Sequence, residues 1–418
     1  MRIAIITTGS RGDVEPYVAL GTGLKKAGHY VRLVSHTNFA QLINSQGLEF
    51  WPVDVDVQGI AQSAEMRERL GGGNFLAVMS QMAKEAEKSA HHLAKVGLSA
   101  CLGIDLILTG IGGLYVGIAL AEKLGLPLIQ AYYFPFTPTR LYPSFLIPNG
   151  IKLGGTLNRF SYHLARQVMW QGFRSADKLV RQKELNLPAA PFWGPYNSKS
   201  TRDIPILYGF SPSVCPKPPD WGNDIHITGY WFLEPEDNWT PSPALIEFLQ
   251  SGQPPIYVGF GSMSTRKPEE TTRLVLEALA ETNQRGILLS GWGGLHAEDL
   301  PESVFMVDSV PFSWLFPRVA AVIHHGGAGT TAAGLRAGVP SVVIPFFADQ
   351  PFWGRRVADL GVGPAPIPLR RLTVDYLAQA IQTVVNDSAI RQRATHLGAK
   401  IQAEEGVAGA VAVLEQLE

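Results

Sequence analysis

The segment from Val322 to Gln350 constrains the fold of this chain more than any other stretch. It begins with a continuous apolar run that ends in two histidines, as expected of a strand buried on both faces. A glycine-rich loop follows, and then a short helical segment closed by Gly338 and Pro340. A second apolar run ends at Asp349. This order predicts strand, loop, helix and strand, which is the repeating unit of a doubly wound α/β sheet.

The glycine loop in this segment is suited to a phosphate group. Gly326, Gly327 and Gly329 lack the Cβ atoms that would keep a ligand away from the backbone. We expect Thr330 to cap the following helix, whose N-terminal N–H groups and dipole favour an anion. Ligands of open parallel sheets bind beyond the carboxyl ends of the strands, so Asp349 should face the same crevice. The arrangement predicts a nucleotide-sugar site.

The same residues allow other interpretations. Gly327 to Ala332 also fits the G-x-G-x-x-G/A dinucleotide fingerprint, and Asp349 follows about 20 residues later. A nicotinamide-dependent oxidoreductase, with Asp349 as a ribose ligand, is therefore the alternative. A third interpretation is a protein that binds a sugar nucleotide without catalysis.

Composition narrows the class of protein. The net charge of the 418 residues is −1, which gives no electrostatic case for a nucleic-acid partner. Two cysteines, Cys101 and Cys215, cannot form a disulfide framework, which favours a reducing, cytoplasmic compartment. The first apolar run is interpreted as a strand, not a signal peptide, and no run reaches the roughly 18 residues of a membrane-spanning helix.

Apolar strand patterns alternate with helical patterns in both halves of the chain, which predicts two doubly wound parallel sheets in tandem. The second series is expected to include a strand at 362–367 and a single helix over about 388–417. A proline-rich stretch separates the two series. The expected division is an N-terminal domain at 1–212, a linker at 213–243, a second domain at 244–387 and a C-terminal helix at 388–418.

Other strand ends in the second half carry candidate ligand-binding groups. Ser262 follows a glycine turn and can offer its hydroxyl to a phosphate. Trp292 and Val310 follow the next two strands, where an indole and main-chain groups can contact a base. His324 and His325 point to opposite faces of their strand, and we expect His325 to reach the crevice. No metal site is expected, because no further metal ligand lies at suitable spacing nearby.

The first half contains its own candidate groups. Asp13 lies in a loop after the first strand, and it is either a helix cap or a general base for an acceptor hydroxyl. An aromatic and proline-rich segment covers 132–145. It is either a packed loop or the wall of an apolar pocket.

These motifs resemble the UDP-glycosyltransferases. The stretch HHGGAGTTAAGLRAGVPSVVIPFFADQPFWGRRV, followed by GVGPAPIP, is similar to their nucleotide-sugar signature. GSRGDVEPYVALG, GFGSM and HITGYWF also resemble segments of this family, within it the sterol 3-β-glucosyltransferases and the bacterial antibiotic glycosyltransferases. The resemblance spans essentially the whole chain.

The resemblance implies the GT-B fold, in which two Rossmann-like doubly wound domains face each other across a cleft. The N-terminal domain would bind the acceptor and the C-terminal domain the UDP-sugar, with the last helix crossing back to the first domain. The residues matching diphosphate contacts are Ser262, His325, Gly327, Gly329 and Thr330. Asp349 and Gln350 match the pair that contacts the sugar hydroxyls, and Trp292 and Val310 match uridine contacts.

The family's chemistry supplies a mechanism. Asp13 matches the branch that uses an aspartate as base in an inverting transfer of a hexose, glucose being preferred, to a lipophilic hydroxylated acceptor. No metal or other cofactor is expected besides the UDP-sugar donor. The acceptor contacts expected are Ser10, Arg11, Tyr132, Phe134, Phe136 and Tyr142. The larger sterol enzymes carry additional N-terminal domains that bind membranes and that this sequence does not contain, so peripheral contact with a membrane is left open.

Overall fold

The computed structural model of the chain describes residues 1–71, 75–147, 151, 153–196, 205–234, 239–261, 267–291, 295 and 299–417. The chain divides into two compact units. The first unit comprises Met1–Val57, Leu76–Leu233 and Glu404–Glu418, and the second comprises Gln58–Phe75 and Glu234–Ala403.

Within the described residues, the first unit is built on a parallel sheet. Its strands are β1 (Arg2–Ile6), β2 (Tyr30–His36), β3 (Glu49–Val53), β4 (Leu106–Thr109), β5 (Leu128–Tyr132), β6 (Ile206–Tyr208) and β7 (Ile225–Ile227). Their order across the sheet is β3-β2-β1-β4-β5-β6-β7. Strands β1 to β3 follow one another towards one edge of the sheet, and β4 to β7 follow one another towards the other edge. The boundary between β1 and β4 is therefore a topological switch point.

Helices connect these strands, as parallel pairing requires. They are α1 (Arg11–Lys26), α2 (Ala40–Ser45), α3 (Val57–Gln62), α4 (Ala64–Gly71), α5 (Phe75–Ala100), α6 (Leu114–Leu124) and α7 (Gly155–Leu179). Of these, α4 and most of α3 lie in the stretch Gln58–Phe75, which groups with the second unit. All residues of β4 and β5 are buried, because helices cover both faces of the sheet centre. The core formed there joins residues of β1 and β4 to residues of α5 and α6.

The second unit repeats the architecture with β8 (Ile256–Gly259), β9 (Gly286–Leu289), β10 (Val304–Val307), β11 (Ala321–His324) and β12 (Ser341–Val343). The order of these strands among the described residues is β10-β9-β8-β11-β12, again all parallel. A second switch point therefore lies between β8 and β11.

The helices after the first unit's sheet are, in chain order, α8 (Pro243–Gln250), α9 (Pro268–Glu281), α10 (Phe312–Leu315), α11 (Ala328–Arg336), α12 (Gln350–Asp359), α13 (Val374–Asn386), α14 (Ser388–Gln402) and α15 (Gly406–Glu415). The last of these belongs to the first unit, in which it packs against α1. No helix within the described parts of the chain is both long enough and apolar enough to cross a bilayer.

The expectation of two parallel α/β units is confirmed, but several details of the sequence prediction are wrong. The segment 362–367 is not a strand, although the Val362 carbonyl and the Ile367 N–H each form a backbone hydrogen bond with β12. Pro364 and Pro366 lie between them and have no N–H to continue the ladder.

Two helix predictions also need correction. The single helix expected over about 388–417 is two helices, α14 and α15, separated by Ala403–Glu405. Thr330 is not the cap of its helix, because Gly327 is the N-cap and Thr330 lies inside the first turn of α11. In addition, β6 was not expected, and β7 lies within the stretch 213–243 that was predicted to be a linker. The remaining bounds and the roles of the domains stay predictions.

Candidate active site

Both sheets place loops containing glycine at their switch points. In the first unit, β1 and β4 are neighbours, and the loops 7–10 and 110–113 follow them. In the second unit, β8 and β11 are neighbours, and the loops 260–261 and 325–327 follow them. Ligands of open parallel sheets bind at such points, so each unit has one candidate binding region.

The loop after β11 leads directly into the N-terminus of α11. Gly327 is the N-cap, and the Thr331 hydroxyl donates to the Gly327 carbonyl oxygen at 2.9 Å. Thr330 is half-buried in the first turn. The first N–H groups of a helix lack intrahelical acceptors and carry the positive end of the dipole, so this terminus is suited to an anion.

The glycines of this loop have different roles. Gly326 has φ +88°, and a Cβ atom there would lie 2.6 Å from Val343 Cγ1, so tight packing requires glycine. A Cβ atom at Gly327 would collide with the ring of His325. A Cβ atom at Gly329 would meet no heavy atom within 4 Å. The backbone at Gly329 is therefore the part of the loop that faces open space.

The two histidines at the end of β11 have different surroundings. His324 is fully buried, and its Nδ1 accepts a hydrogen bond of 3.0 Å from the Gly326 N–H. His325 is half-buried, and its ring lies against both glycine loops, with Cε1 3.1 Å from the position of a Cβ at Gly261. Burial lowers the pKa of His324 to about 3 and that of His325 to about 4. Both rings are therefore neutral near pH 7, and His325 has one N–H to donate.

Asp349 and Gln350 lie at the start of α12, after β12. Asp349 is the N-cap, and its Oδ2 accepts a hydrogen bond of 2.9 Å from Trp353 Nε1. The Gln350 side chain is buried, and its Oε1 accepts from the N–H groups of Phe346 at 2.8 Å and Phe347 at 3.1 Å. These bonds fix the shape of the loop. The Gln350 amide oxygen is thereby engaged by the backbone.

Three further residues were predicted to contact the sugar donor, and the structure describes one of them, Val310. Val310 is 7% exposed and packs in a core cluster with Leu315 and Phe316, so it can offer only main-chain groups to a base. Ser262 and Trp292 lie outside the described residues. Their roles as donor contacts stay predictions.

In the first unit, Asp13 is held by the loop that follows β1. It lies in the first turn of α1, and its Oδ2 accepts hydrogen bonds from the Ser10 N–H at 2.6 Å and the Ser10 hydroxyl at 2.8 Å. The Thr7 hydroxyl donates to the Asp13 carbonyl oxygen at 2.7 Å. A side chain at Gly9, where φ is +133°, would collide with the carboxylate. Asp13 is therefore the N3 residue of a capping box whose N-cap is Ser10, and its carboxylate has a fixed position.

A second group reaches the same carboxylate from the residue that follows β5. The Tyr133 hydroxyl donates a hydrogen bond to Asp13 Oδ1. The α1 helix is held against the end of β5 because the Tyr17 hydroxyl donates to the Ala131 carbonyl oxygen at 2.6 Å. Burial raises the pKa of Asp13, and the hydrogen bonds from Tyr133 and Ser10 oppose that rise. The carboxylate is therefore held in one position, and its pKa is raised.

Tyr133 was missed as a candidate by the sequence interpretation. Its neighbours Tyr132 and Phe134 were chosen instead, although both are buried in the core. Side chains alternate between faces along an extended chain, so a buried Tyr132 places Tyr133 on the opposite face. That alternation was the available signal.

The other acceptor candidates have different surroundings. Tyr132 and Phe136 are 1% and 0% exposed, and both pack in an aromatic cluster that includes Tyr208. With Phe134 at 6%, the burial of these side chains favours the packed-loop interpretation over the pocket wall. Tyr142 is half-buried, with its hydroxyl 3.2 Å from Cys215 Sγ.

Ser10 and Arg11 lie at the start of α1. The Ser10 hydroxyl is engaged by Asp13, and Arg11 is exposed and forms an ion pair of 2.6 Å with Glu15. Both residues are therefore next to the candidate base. Contact with an acceptor stays a prediction for each of them.

An apolar cavity lies beside the loop that follows β4. Its walls include Ile111, Leu114, Tyr115, Trp170 and Phe173, and its free volume is about 10 Å³. That is room for about one water molecule, whereas small-molecule pockets commonly measure roughly 300–1,000 Å³. The cavity is too small to hold a lipid acceptor in this conformation.

Comparisons with known proteins agree with the architecture. The model of the glycosyltransferase family 28 N-terminal domain matches residues 3–143, and that of the erythromycin biosynthesis protein CIII-like C-terminal domain matches 273–417. In fold, the chain is similar to the glycotransferase of kitacinnamycin, with a TM-score of 0.69 at 18% identity over 99% of this chain and 98% of that one. It is similarly close to the glycosyltransferase VinC, with a TM-score of 0.68 at 19% identity over 100% and 99%.

Several curated proteins are similar in sequence. Sterol 3-beta-glucosyltransferase UGT80B1 of Arabidopsis thaliana is 36% identical over 98% of this chain and 67% of its own length. UGT80A2 of the same plant is 38% identical over 98% and 64%, and the sterol 3-beta-glucosyltransferase of Emericella nidulans is 36% identical over 100% and 30%. The chain thus spans about two thirds of the plant relatives and about a third of the fungal one.

The two parallel-sheet units and these likenesses define the class of protein, which is a glycosyltransferase of the GT-B fold. More narrowly, the chain belongs to the family that contains the sterol 3-beta-glucosyltransferases. The resemblance seen in the sequence is confirmed. The oxidoreductase alternative has no support from these likenesses.

Replacing Tyr133 by Phe should raise the pKa of the Asp13 carboxyl further, because a hydrogen bond that stabilises the charged form is lost. The value can be measured by ¹³C NMR titration of the labelled carboxyl. Tyr30→Phe, at an exposed position on β2, is the matched control and should leave the titration unchanged. An unshifted Asp13 in Tyr133→Phe would show that the tyrosine does not tune this group.

Proposed function

We propose that this glycosyltransferase moves a hexose, with glucose preferred, from a UDP-sugar to a hydroxyl group of a lipophilic acceptor such as a sterol. The observation that carries the donor assignment is the anion-suited N-terminus of α11, with His325 beside it and Gly329 open to a ligand. The acceptor class is supported by 36% and 38% identity to the two Arabidopsis sterol 3-beta-glucosyltransferases over 98% of this chain.

The donor would place its diphosphate at the N-terminus of α11. The N–H groups of the first turn, the Thr330 hydroxyl and the neutral His325 N–H would donate to the phosphate oxygens. These donors face the oxygen that becomes negatively charged when the bond from the anomeric carbon to the diphosphate breaks. Asp349 and Gln350 would contact the sugar hydroxyls.

The acceptor hydroxyl would attack the anomeric carbon directly, and configuration there would invert. Its proton passes to Asp13, while the electron pair of the breaking bond leaves with UDP. Burial suits Asp13 to this role because it raises the pKa of the carboxyl, and the bonds from Ser10 and Tyr133 fix its direction. In this scheme helix and histidine donors stabilise the leaving group, and metal independence stays a prediction.

The donor assignment predicts a selective thermal shift. A ligand that binds only the folded state raises the apparent melting temperature, so UDP and UDP-glucose should raise it and NAD should not. UDP-glucose should produce a larger shift than UDP, and Asp349→Ala should remove that difference if Asp349 contacts the sugar. A shift with TDP but none with UDP would change the nucleotide, and a shift with NAD alone would overturn the assignment.

Gly329→Ala is the sharpest variant for this measurement. Alanine in a helix with open space around its Cβ should stabilise the free protein by about 0.5–1 kcal/mol. The same methyl group would obstruct the diphosphate and weaken the UDP shift. Gly409→Ala in α15 is the matched control, with ordinary contacts to Thr228 and no expected change in the UDP shift. Equal UDP shifts in both variants would exclude the loop as the phosphate site.

Asp13→Asn should retain UDP-glucose binding and lose about 10²–10⁴-fold in the rate of transfer, the usual contribution of a general base. Asparagine keeps an oxygen that can accept from Ser10 but cannot take the proton. Glu15→Gln, two residues further along the same helix, is the matched control and should keep near-normal transfer. Unimpaired turnover by Asp13→Asn would remove Asp13 as the base.

A further inference from the structure

One face of α7 presents apolar side chains to solvent. Leu157, Phe160 and Leu164 follow one another at helical spacings of three and four residues and are 54%, 62% and 46% exposed. The opposite face of the helix packs into the first unit through residues such as Tyr162 and Trp170, which are buried. One face of the helix therefore packs against the core, and a second apolar stripe stays exposed to solvent.

A tight turn extends this stripe towards the C-terminal end of α7. The Phe192 carbonyl oxygen accepts hydrogen bonds from Gln167 Nε2 at 3.2 Å, Trp170 Nε1 at 3.0 Å and Gln171 Nε2 at 2.9 Å. Gln167 and Gln171 lie three and seven residues beyond Leu164, on the same face of the helix. The turn is thus fixed to the stripe, and it holds its tryptophan, Trp193, 74% exposed.

Further apolar residues lie near the N-terminal end of the helix. The Arg140 carbonyl oxygen accepts a hydrogen bond of 3.0 Å from Asn158 Nδ2, which holds this segment against α7. Leu141, the next residue, is 53% exposed, and Ile151 is 46% exposed. We call the whole surface the α7 patch, which comprises Leu141, Ile151, Leu157, Phe160, Leu164, Phe192 and Trp193.

The charged groups around the α7 patch are mainly cationic. Arg159, Arg174 and Lys178 are exposed on α7, and Arg140 is exposed just before it. The guanidinium of Arg174 lies 5.2 Å from the centre of the Phe192 ring, so positive charge borders the apolar surface directly.

The acidic residues of the same region are buried or engaged. Asp177 on α7 is buried, and Glu184 pairs with His91 at 2.6 Å. Asp220 is exposed, but it accepts hydrogen bonds from the Thr139 hydroxyl at 2.6 Å and the Arg140 N–H at 2.8 Å. The rim of the α7 patch is therefore complementary to a surface of negative charge.

We propose that the α7 patch docks the protein on the surface of a bilayer that contains anionic lipid. Phe and Leu side chains on a cation-rimmed helix face insert at the boundary of headgroups and acyl chains, and tryptophan favours that interface. Arg and Lys near such a surface each contribute attraction to anionic headgroups. A symmetric contact between two copies fits less well, because it would bring Arg159, Arg174 and Lys178 of one copy against the same residues of the other.

Docking on a bilayer extends the proposed function. It rests on that function only for the chemical nature of the acceptor. A sterol-like acceptor is dissolved in membranes and scarcely in water, so an enzyme that uses it must meet it at a bilayer. The α7 patch belongs to the first unit, which also holds Asp13. The surface itself is defined by the exposure of its side chains and by the charges around them.

The proposal is tested by co-sedimentation with vesicles of phosphatidylcholine alone and of phosphatidylcholine mixed with phosphatidylglycerol. The protein should sediment with the mixed vesicles, and high salt should weaken binding because it screens the charges. Phe160→Ser/Trp193→Ser should lower the partition coefficient about tenfold or more. Arg174→Gln/Lys178→Gln should lower it by about tenfold or more on the mixed vesicles.

Matched controls separate the α7 patch from general surface effects. Tyr376→Ser/Leu417→Ser removes exposed apolar side chains elsewhere, and Arg370→Gln/Arg371→Gln removes exposed charges elsewhere. Both should bind vesicles like the unmodified protein, and every variant should keep the UDP thermal shift, which reports donor binding independently. Absence of vesicle binding, or equal binding by the patch variants, would overturn the proposal. A dimer in light scattering that Phe160→Ser/Trp193→Ser dissociates, without vesicle binding, would assign the surface to a second copy instead.

Discussion

The parallel direction of the strands in each unit is the constraint on which the candidate site depends. Parallel strands bring all their carboxyl ends to one edge of the sheet, where the loops to the following helices begin. At the switch point of each sheet, two neighbouring loops diverge to opposite faces. In the second unit this brings both Gly261 and Gly327 close to the His325 ring, although about 65 residues separate the two glycines in sequence. A sheet with other connections would not bring these groups together.

Burial then determines the chemical state of the groups held at these edges. Burial lowers the pKa of both His324 and His325, which leaves neutral rings beside a helix N-terminus that already favours an anion. Burial also changes the pKa of Asp13, but in the opposite direction, because it raises the pKa of a carboxyl group. The hydrogen bonds from Ser10 and Tyr133 keep the carboxylate oriented. In the proposed mechanism, this one physical effect would prepare a neutral donor for the leaving phosphate and a more basic carboxylate for the incoming hydroxyl. A carboxylate that completes a capping box can also act as a base, because both uses need a carboxylate of fixed direction.

The sequence predicted those features that local patterns encode. Continuous apolar runs of three to five residues predicted the buried strands β1, β4, β8 and β11, and Gly338, with φ +71°, ends its helix segment as expected. The three-residue strand β6 was missed because so short a run carries little periodicity. The expected strand at 362–367 was wrong because its apolar residues suggested a ladder that its prolines interrupt.

Contacts between distant parts of the chain could not be predicted from these patterns. Tyr133 lies 120 residues from Asp13, and no local signal connects the two. The aromatic residues of 132–145 looked equally suited to a pocket and to a core, and only the packing of β5, β6 and α7 decides which side chains are covered. The α7 patch was not found in the sequence for a related reason, since both faces of that helix are rich in apolar residues and the core takes only one of them.

The stereochemistry of the product tests the central claim most directly. The protein would be supplied with UDP-α-D-glucose and a sterol dispersed in vesicles, and the anomeric configuration of the purified glycoside would be read by ¹H NMR. Direct attack assisted by Asp13 predicts a β-glucoside as the product. An α-glucoside would contradict a single inverting displacement, and release of free glucose with no glycoside would contradict transfer to a lipid hydroxyl.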